Sequence, residues 1–389
     1  MVSRVPRDPR LKILLLNYEY PPLGGGGGKQ AMQLSRAYAR DHDVYYLTAG
    51  FDAFGLSEVD GYRLHRLKTS RQATYRCTNP EMLSYLAAAW RALPGVLESF
   101  VPDVVHCFFG IPTGVLAAYP ALRRRPWVLS VRGSDVPGHS PDISRIVYGV
   151  VTPVVRRVWK AMDAVVCNSD ALRDEVLAVS PGLAVDVIPN GIDTSRFFPA
   201  PQRPRERPLT VLYAGRLIPL KQVNLLVRAL ATPALSAAGV RLRVVGDGVE
   251  APALRALASE LGVAARVHFV GEVPYADIPG EYRRADLYAQ LSVVEGMSNT
   301  IVEAMASGLP IITSPAGNAR DLVRDNGCVL DAPAVESVAE AITRYVQQPA
   351  LLAEQGLRSR AAAERLGFEA MAASYVGVIE RCRSGAARR

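Results

Sequence analysis

Residues 295–310 read E-G-M-S-N-T-I-V-E-A-M-A-S-G-L-P. Ile301, Val302, Ala304 and Met305 supply the apolar side of a helix, and Gly308 followed by Pro310 stops it. Ser298 or Asn299 is the N-cap residue, so the helix begins near Thr300. Glu295 then lies in the loop ahead of the helix, and Glu303 lies about one turn inside it. Amides around residues 298–301 have no intrahelical acceptor, and at the positive end of the dipole they form an anion site. Two carboxylates beside such a site suit a phosphorylated sugar: the amides hold phosphate and the carboxylates accept from hydroxyls.

The flanking sequence alternates short apolar runs with helix-compatible segments. Strand patterns occur at Lys12–Asn17, Val44–Thr48, Tyr62–Leu67, Asp103–Phe108, Trp127–Val131, Ala164–Asn168 and Val185–Pro189. Helical patterns at 81–99, 113–122 and 143–160 separate several of them. After the proline- and charge-rich stretch F-F-P-A-P-Q-R-P-R-E-R-P, strands are expected at 209–216, 241–248, 266–271, 310–314 and around Cys328–Leu330. Helices are expected at 251–262, 334–348, 350–365 and 368–382, and the tail beyond is expected to be disordered. This alternation predicts parallel sheets covered on both faces. The first strand runs into Y-P-P-L-G-G-G-G-G-K and then a helix with Ala31, Leu34 and Tyr38 on one face, the opening unit of a doubly wound domain. Leu23 and Gln30 break a phosphate-loop reading of these glycines, and Lys29 stands where a dinucleotide fingerprint needs its third glycine.

The E-x7-E spacing of Glu295 and Glu303, continued by E-A-M-A-S-G-L-P, resembles the signature of retaining glycosyltransferases of family 4, which have the GT-B fold. That resemblance implies an α/β chain of two Rossmann-like domains facing across a cleft, with a C-terminal helix crossing back to the first. The expected division is residues 1–195 (with 368–389) for the acceptor domain, 196–208 for the linker and 209–367 for the donor domain. G-R-L-I-P-L-K resembles the family's G-R-L-x-x-x-K, which assigns the donor diphosphate to Arg216 and Lys221. The catalytic set implied is Glu295, Arg216 and Lys221. Donor binding adds Gly25, Gly26, Gly215, Val270, Gly271, Met297, Ser298, Asn299, Thr300, Ile301 and Glu303. On the acceptor side, D-V-V-H-C-F-F-G matches a family H-x-H segment with His106 in the first position and Phe108 in the second. V-R-G-S-D matches H-G-x-D with Arg132 in the His position and Asp135 retained.

Composition narrows the partners. An apolar fraction of 49% and 21% charged residues over 389 residues are those of a globular chain, and no apolar run reaches membrane-span length. The net charge is +8, with only five lysines, which favours an anionic membrane surface or a phosphorylated acceptor as peripheral contact. No aromatic-interleaved basic motif points to nucleic acid. The five scattered cysteines form no C-x-x-C pair and read as reduced cytosolic thiols, and the N-terminus lacks the apolar core of a signal peptide. Asp41-His42-Asp43 has a metal-like spacing but sits at a turn, so no metal is expected. No cofactor is expected beyond a nucleotide-diphosphate sugar co-substrate, UDP- or GDP-linked first, and the acceptor is a hydroxyl of a glycan, lipid-linked sugar or small molecule. A location in the cytoplasm, at the inner face of the plasma membrane, follows from the same reading. The substitutions Phe108 and Arg132 leave a nucleotide-sugar binding protein with weak or no transfer as the alternative. A glycogen or sucrose synthase type of enzyme is disfavoured by the short first domain.

Overall fold

The structure, a computed structural model, describes residues 10–74, 77–139, 145–201 and 208–385. The chain divides into two compact units, one running to Gly191 and resuming at Phe368, the other spanning Ile192–Gly367. The expected class is the observed one: α/β, with a Rossmann-like parallel sheet in each unit.

In the first unit the strands are β1 (Lys12–Leu16), β2 (Asp43–Ala49), β3 (Gly55–Val59), β4 (Tyr62–Leu67), β5 (Val104–Phe108), β6 (Trp127–Ser130), β7 (Ala164–Cys167) and β8 (Val185–Val187). They lie in the order β3-β4-β2-β1-β5-β6-β7-β8, parallel except for the β3–β4 hairpin. Central β1 is an unbroken apolar run because both of its faces are covered: Ile13 to Leu16 are fully buried, opposite Val44–Leu47 of β2 and Val104–Cys107 of β5. The helix Gly26–Ala39 buries the expected face of Ala31, Leu34 and Tyr38. Helix Asn79–Ser99 opens with a capping box in which the Glu81 carboxylate accepts from Thr78 N at 2.6 Å. The C-terminal helix Phe368–Arg383 belongs to this unit and buries Phe368, Met371, Tyr375 and Ile379 in its core.

One reading of the sequence differs from the structure here, and one strand had no counterpart in the sequence patterns. Residues 113–122, expected as a helix, form only two short 3-10 turns, Thr113–Ala118 and Pro120–Leu122. Gly114 and Pro120 fall inside the segment, and each disfavours a continuous α-helix. Strand β3 lies at the sheet edge with mostly exposed residues, so it lacks the apolar run that marked the others.

In the second unit the strands are β9 (Thr210–Ala214), β10 (Arg241–Val245), β11 (Val267–Gly271), β12 (Leu287–Gln290), β13 (Ile311–Thr313) and β14 (Gly327–Val329). All pair in parallel, in the order β11-β10-β9-β12-β13-β14. The linker expected at 196–208 falls partly outside the described residues, at 202–207. Its described start is packed on this unit: Phe197 is fully buried, and Arg360 donates to the carbonyls of Thr194 and Phe197 at 3.1 and 2.7 Å. The tail read as disordered lies outside the described residues from 386 onward.

Candidate functional site

In an open parallel sheet the ligand crevice lies beyond the carboxyl ends of the strands, where the strand order reverses. In the second unit that point lies between β9 and β12, and the residues singled out in the sequence come from the loops after these two strands. Val293 N donates to Leu220 O at 2.8 Å, which locks one loop onto the other. Lys221 and Glu295 form an ion pair across that junction, each side chain about one-sixth exposed at 16% and 17%.

Glu295 does not depend on Lys221 for its position. Gln290 Nε2 donates to Glu295 Oε1 at 2.6 Å, and Ser292 Oγ donates to the same oxygen at 2.8 Å. The other end of the buried Gln290 amide accepts from Tyr288 Oη at 2.9 Å, Ser298 Oγ at 2.9 Å and Thr300 Oγ1 at 2.7 Å. One glutamine at the end of β12 therefore fixes the Glu295 carboxylate, the N-cap of the next helix and the helix's first turn together. No sequence pattern announced Gln290. A lone glutamine at a strand end has no periodicity or motif, and its role exists only once residues 292–300 fold back over it.

The helix itself is Asn299–Ala306 with Ser298 as N-cap. Ser298 Oγ accepts from Ile301 N at 3.4 Å, so this amide, counted in the sequence among the anion donors, is already engaged. Met297 directs its side chain into the core. Glu303 is 9% exposed and accepts from Tyr282 Oη at 2.8 Å through Oε2. Arg216 is exposed, and no described residue pairs with its guanidinium; its carbonyl accepts from Tyr213 Oη at 2.8 Å. Two glycines make the strand-end backbone tight enough to form this floor. Gly215 has φ +152°, and a Cβ on Gly246 (φ +118°) would stand 2.0 Å from Gly215 O. Gly271 O accepts from Gly246 N at 2.8 Å, so Val270 and Gly271 border the same floor through backbone.

The first unit has its own reversal point, between β1 and β5. Gly25 and Gly26 stand at the N-terminus of the helix Gly26–Ala39, and this turn is packed rather than loose. A Cβ on Gly27 would meet Phe109 Cζ at 2.5 Å, and one on Gly24 (φ +81°) would meet the Glu19 carboxyl carbon at 2.2 Å. Glu19, which the sequence reading passed over, accepts from Gly25 N at 3.3 Å; burial raises its pKa, and the amides of Gly25 and Gly28 and the charge of Arg71 oppose that.

The acceptor-side candidates sit deeper than expected. His106 is fully buried, with Nδ1 3.2 Å from Tyr38 Oη and Nε2 2.8 Å from Ser130 Oγ. Burial first, and the Arg132 charge second, push its pKa down to about 3. It is a neutral core histidine. Phe108 is also fully buried, and the Arg132 guanidinium lies 4.4 Å above its ring. Arg132 donates to Asn190 Oδ1 at 2.6 Å and to Tyr375 Oη at 3.2 Å. Asp135 accepts from Gly110 N at 2.8 Å and Arg132 N at 2.9 Å, which ties two loops together, while burial raises its pKa. Phe108 and Arg132 thus form one stacked unit.

Comparison with known proteins places both halves. Residues 195–362 match the family described as Glycosyl transferases group 1, and residues 24–196 match Glycosyltransferase Family 4. A glycogen synthase of Mycobacterium tuberculosis is 29% identical, over 92% of this chain and 90% of its own length. A GDP-mannose-dependent alpha-(1-6)-phosphatidylinositol monomannoside mannosyltransferase of the same species is 29% identical, over 86% and 89%. The fold is shared with the sucrose-phosphate synthase of Thermosynechococcus elongatus, with a TM-score of 0.83 at 21% identity, covering 97% of this chain and 100% of that one. It is shared also with the Anabaena HepE protein in complex with UDP-glucose, with a TM-score of 0.70 at 20% identity, over 98% and 100%. The match in length to a glycogen synthase removes the argument that a short first domain disfavours that type of enzyme.

Proposed function

From the premise that this chain belongs to the family 4, group 1 glycosyltransferases, we propose that it moves a sugar from a nucleoside diphosphate donor to a hydroxyl acceptor with retention of configuration. The observation that carries this reading is the Lys221–Glu295 pair at the strand-order reversal of the second unit, held by Gln290. UDP- and GDP-sugars come first among donors, because one relative named above is described as GDP-mannose-dependent and one protein of the same fold is in complex with UDP-glucose.

In this reading Arg216 and Lys221 take the donor diphosphate, and the amides of Asn299 and Thr300 add to the anion site. The amides after β11 face the base, and Glu303 accepts from ribose hydroxyls once Tyr282 gives way or shares it. Glu295 faces the transferred sugar and stabilises positive charge as the bond to phosphate breaks. The acceptor hydroxyl attacks the anomeric carbon from the side the phosphate leaves. Its proton passes to the departing phosphate oxygen, whose bond electrons leave with the nucleoside diphosphate. Lys221 stabilises the charge that develops there. The acceptor is a glycan, a lipid-linked sugar, a small molecule or a growing polymer. Among the described residues no helix is long and apolar enough to cross a membrane. A net charge of +8 supports peripheral contact with an anionic membrane, at its cytoplasmic face.

The test is a panel of UDP, GDP, ADP and CMP in thermal unfolding, followed by proton NMR of the product from the matching α-linked donor sugar. One nucleotide should stand out, and the product should carry the donor's anomeric configuration. A β-linked product from an α-linked donor, or binding without any sugar release, refutes the proposal.

A further inference from the structure

The loop that follows β4 carries a guanidinium that no described residue meets with a hydrogen bond or an ion pair. Arg71 Nε, Nη1 and Nη2 are all buried without a hydrogen-bond partner, and so is Thr69 Oγ1 two residues earlier. No described residue makes an ion pair with Arg71. A buried guanidinium with its donors unmet is costly, because the nearby charges of Glu19 and Glu81 replace none of the hydrogen bonds lost on desolvation. Surface drift does not explain it, since the loop is pinned on both sides: Thr74 O accepts from Gly24 N at 2.8 Å, and Glu81 Oε1 accepts from Gln72 N at 2.8 Å.

Arg71 lies at the carboxyl ends of the parallel strands, where open α/β sheets bind ligands. Parallel strands β4, β2, β1 and β5 end at the same edge of the sheet, so the Arg71 loop, the glycine turn after β1 and Phe109 after β5 gather there. The charge of Arg71 acts on Tyr18, Glu19, Cys77 and Glu81, which surround it. The two carboxylates are engaged elsewhere: Glu19 accepts from Gly25 N at 3.3 Å, and Glu81 accepts from the amides of Gln72 and Thr78 at 2.8 and 2.6 Å. The Cys77 thiol lies against Arg71 but is directed to Thr78 O at 3.8 Å, and a neutral thiol is a poor acceptor. Tyr18 contributes an aromatic wall, edge-on to Phe109 with ring centres 5.2 Å apart.

We infer that Arg71, assisted by the Thr69 hydroxyl, is an oxyanion subsite of the first unit that takes a phosphate or carboxylate carried by the acceptor. The planar fork of a guanidinium matches two oxygens of such a group, whose charge-assisted hydrogen bonds meet the donors that Glu19 and Glu81 leave unpaired more strongly than neutral sugar hydroxyls do. This inference rests on the reading of the chain as a transferase whose acceptor binds the first unit. It deepens that reading by specifying an acidic acceptor.

The test uses the full chain, its Arg71→Met and Arg71→Lys variants, and Lys221→Met as a control at the donor site. Ligands are glucose 6-phosphate for a soluble phosphate, glucuronate for a carboxylate, phosphatidylglycerol vesicles for a lipid headgroup, and methyl glucoside as a neutral control. At least one acidic ligand should stabilise the wild type and Lys221→Met, with affinity weakened about tenfold or more in Arg71→Met. Arg71→Lys should recover only part of it. The ligand that does so identifies the source of the anion. Arg71→Met alone should keep its nucleotide response and unfold near or above the wild-type temperature, because removing the unmet buried donors offsets the lost attraction to Glu19 and Glu81. Three results overturn the inference. These are acidic-ligand binding that survives Arg71→Met, binding of methyl glucoside as tight as that of its acidic counterparts, and a lowered melting temperature in Arg71→Met with no acidic ligand bound by the wild type. Absence of any nucleotide response in wild type and Lys221→Met counts against the donor reading and leaves the Arg71 comparison intact.

Discussion

Lowering the pH should destabilise the first unit through His106, and the size of the effect follows from its burial. The ring is fully buried among Tyr38, Ser130 and Tyr375, and its pKa is pushed from 6.5 to about 3. The folded pKa is therefore the lower one, so between these values the unfolded chain binds a proton that the folded chain does not. The stability from His106 is fully present above pH 6.5 and is lost as pH falls toward about 3. From pH 7.5 to 5.0 the loss should be about 2 kcal/mol. Glu19 and Asp135 act in the opposite direction, since their pKa values are raised by burial, so the measurement must isolate His106. His106→Gln keeps a donor and an acceptor in the same place without the titration. All three tryptophans, Trp90, Trp127 and Trp159, lie in the first unit, so fluorescence during urea unfolding reports that unit alone. Between the two pH values the wild type should lose about 2 kcal/mol more than His106→Gln. Parallel pH dependences would mean that His106 titrates normally and that the ring is hydrated.

Further outcomes follow from the packing around the two strand-order reversals. Gln290→Leu strips the partners from Glu295, Ser298 and Thr300 at once, so it should destabilise the second unit by about 2–4 kcal/mol in calorimetry and lower sugar transfer more than nucleotide affinity. Gly246→Ala places a methyl 2.0 Å from Gly215 O at a φ of +118°, so it should unfold more readily and lose nucleotide binding together. A variant that binds normally would show that this backbone floor is not the donor site. Gly27→Ala, whose added methyl meets Phe109 at 2.5 Å, should cost about 1–3 kcal/mol in the fluorescence-monitored transition of the first unit while leaving nucleotide binding to the second unit intact.

The buried parallel strands were legible because strands covered on both faces read as continuous apolar runs, and the helix Asn299–Ala306 was legible because its cap and stop residues are local signals. The edge strand β3 was not, since Gly55-Leu56-Ser57-Glu58-Val59 is largely exposed and lacks an apolar run. The site was half legible. Glu295 and Lys221 stand 74 residues apart in sequence, and a motif placed both, yet their contact and the Gln290 hub behind them depend on which strands end side by side. His106 shows the converse. A histidine in a strand offers catalytic chemistry in sequence, and only the fold reveals that both nitrogens are spent on Tyr38 and Ser130. Arg71 gave no signal at all, because an arginine in a loop is ordinarily solvated and only burial without a partner sets it apart.

The most direct test of the account compares nucleotide affinity with donor turnover in Glu295→Gln. Glutamine keeps the shape and part of the hydrogen bonding at this position and removes the charge proposed to face the sugar. Release of nucleoside diphosphate from the donor should fall by about a hundredfold, while the Kd for the nucleotide stays unchanged or tightens as Lys221 is freed from its partner. A loss of nucleotide affinity equal to the loss of turnover contradicts it, because Glu295 would then be part of the diphosphate site and not of the reacting centre.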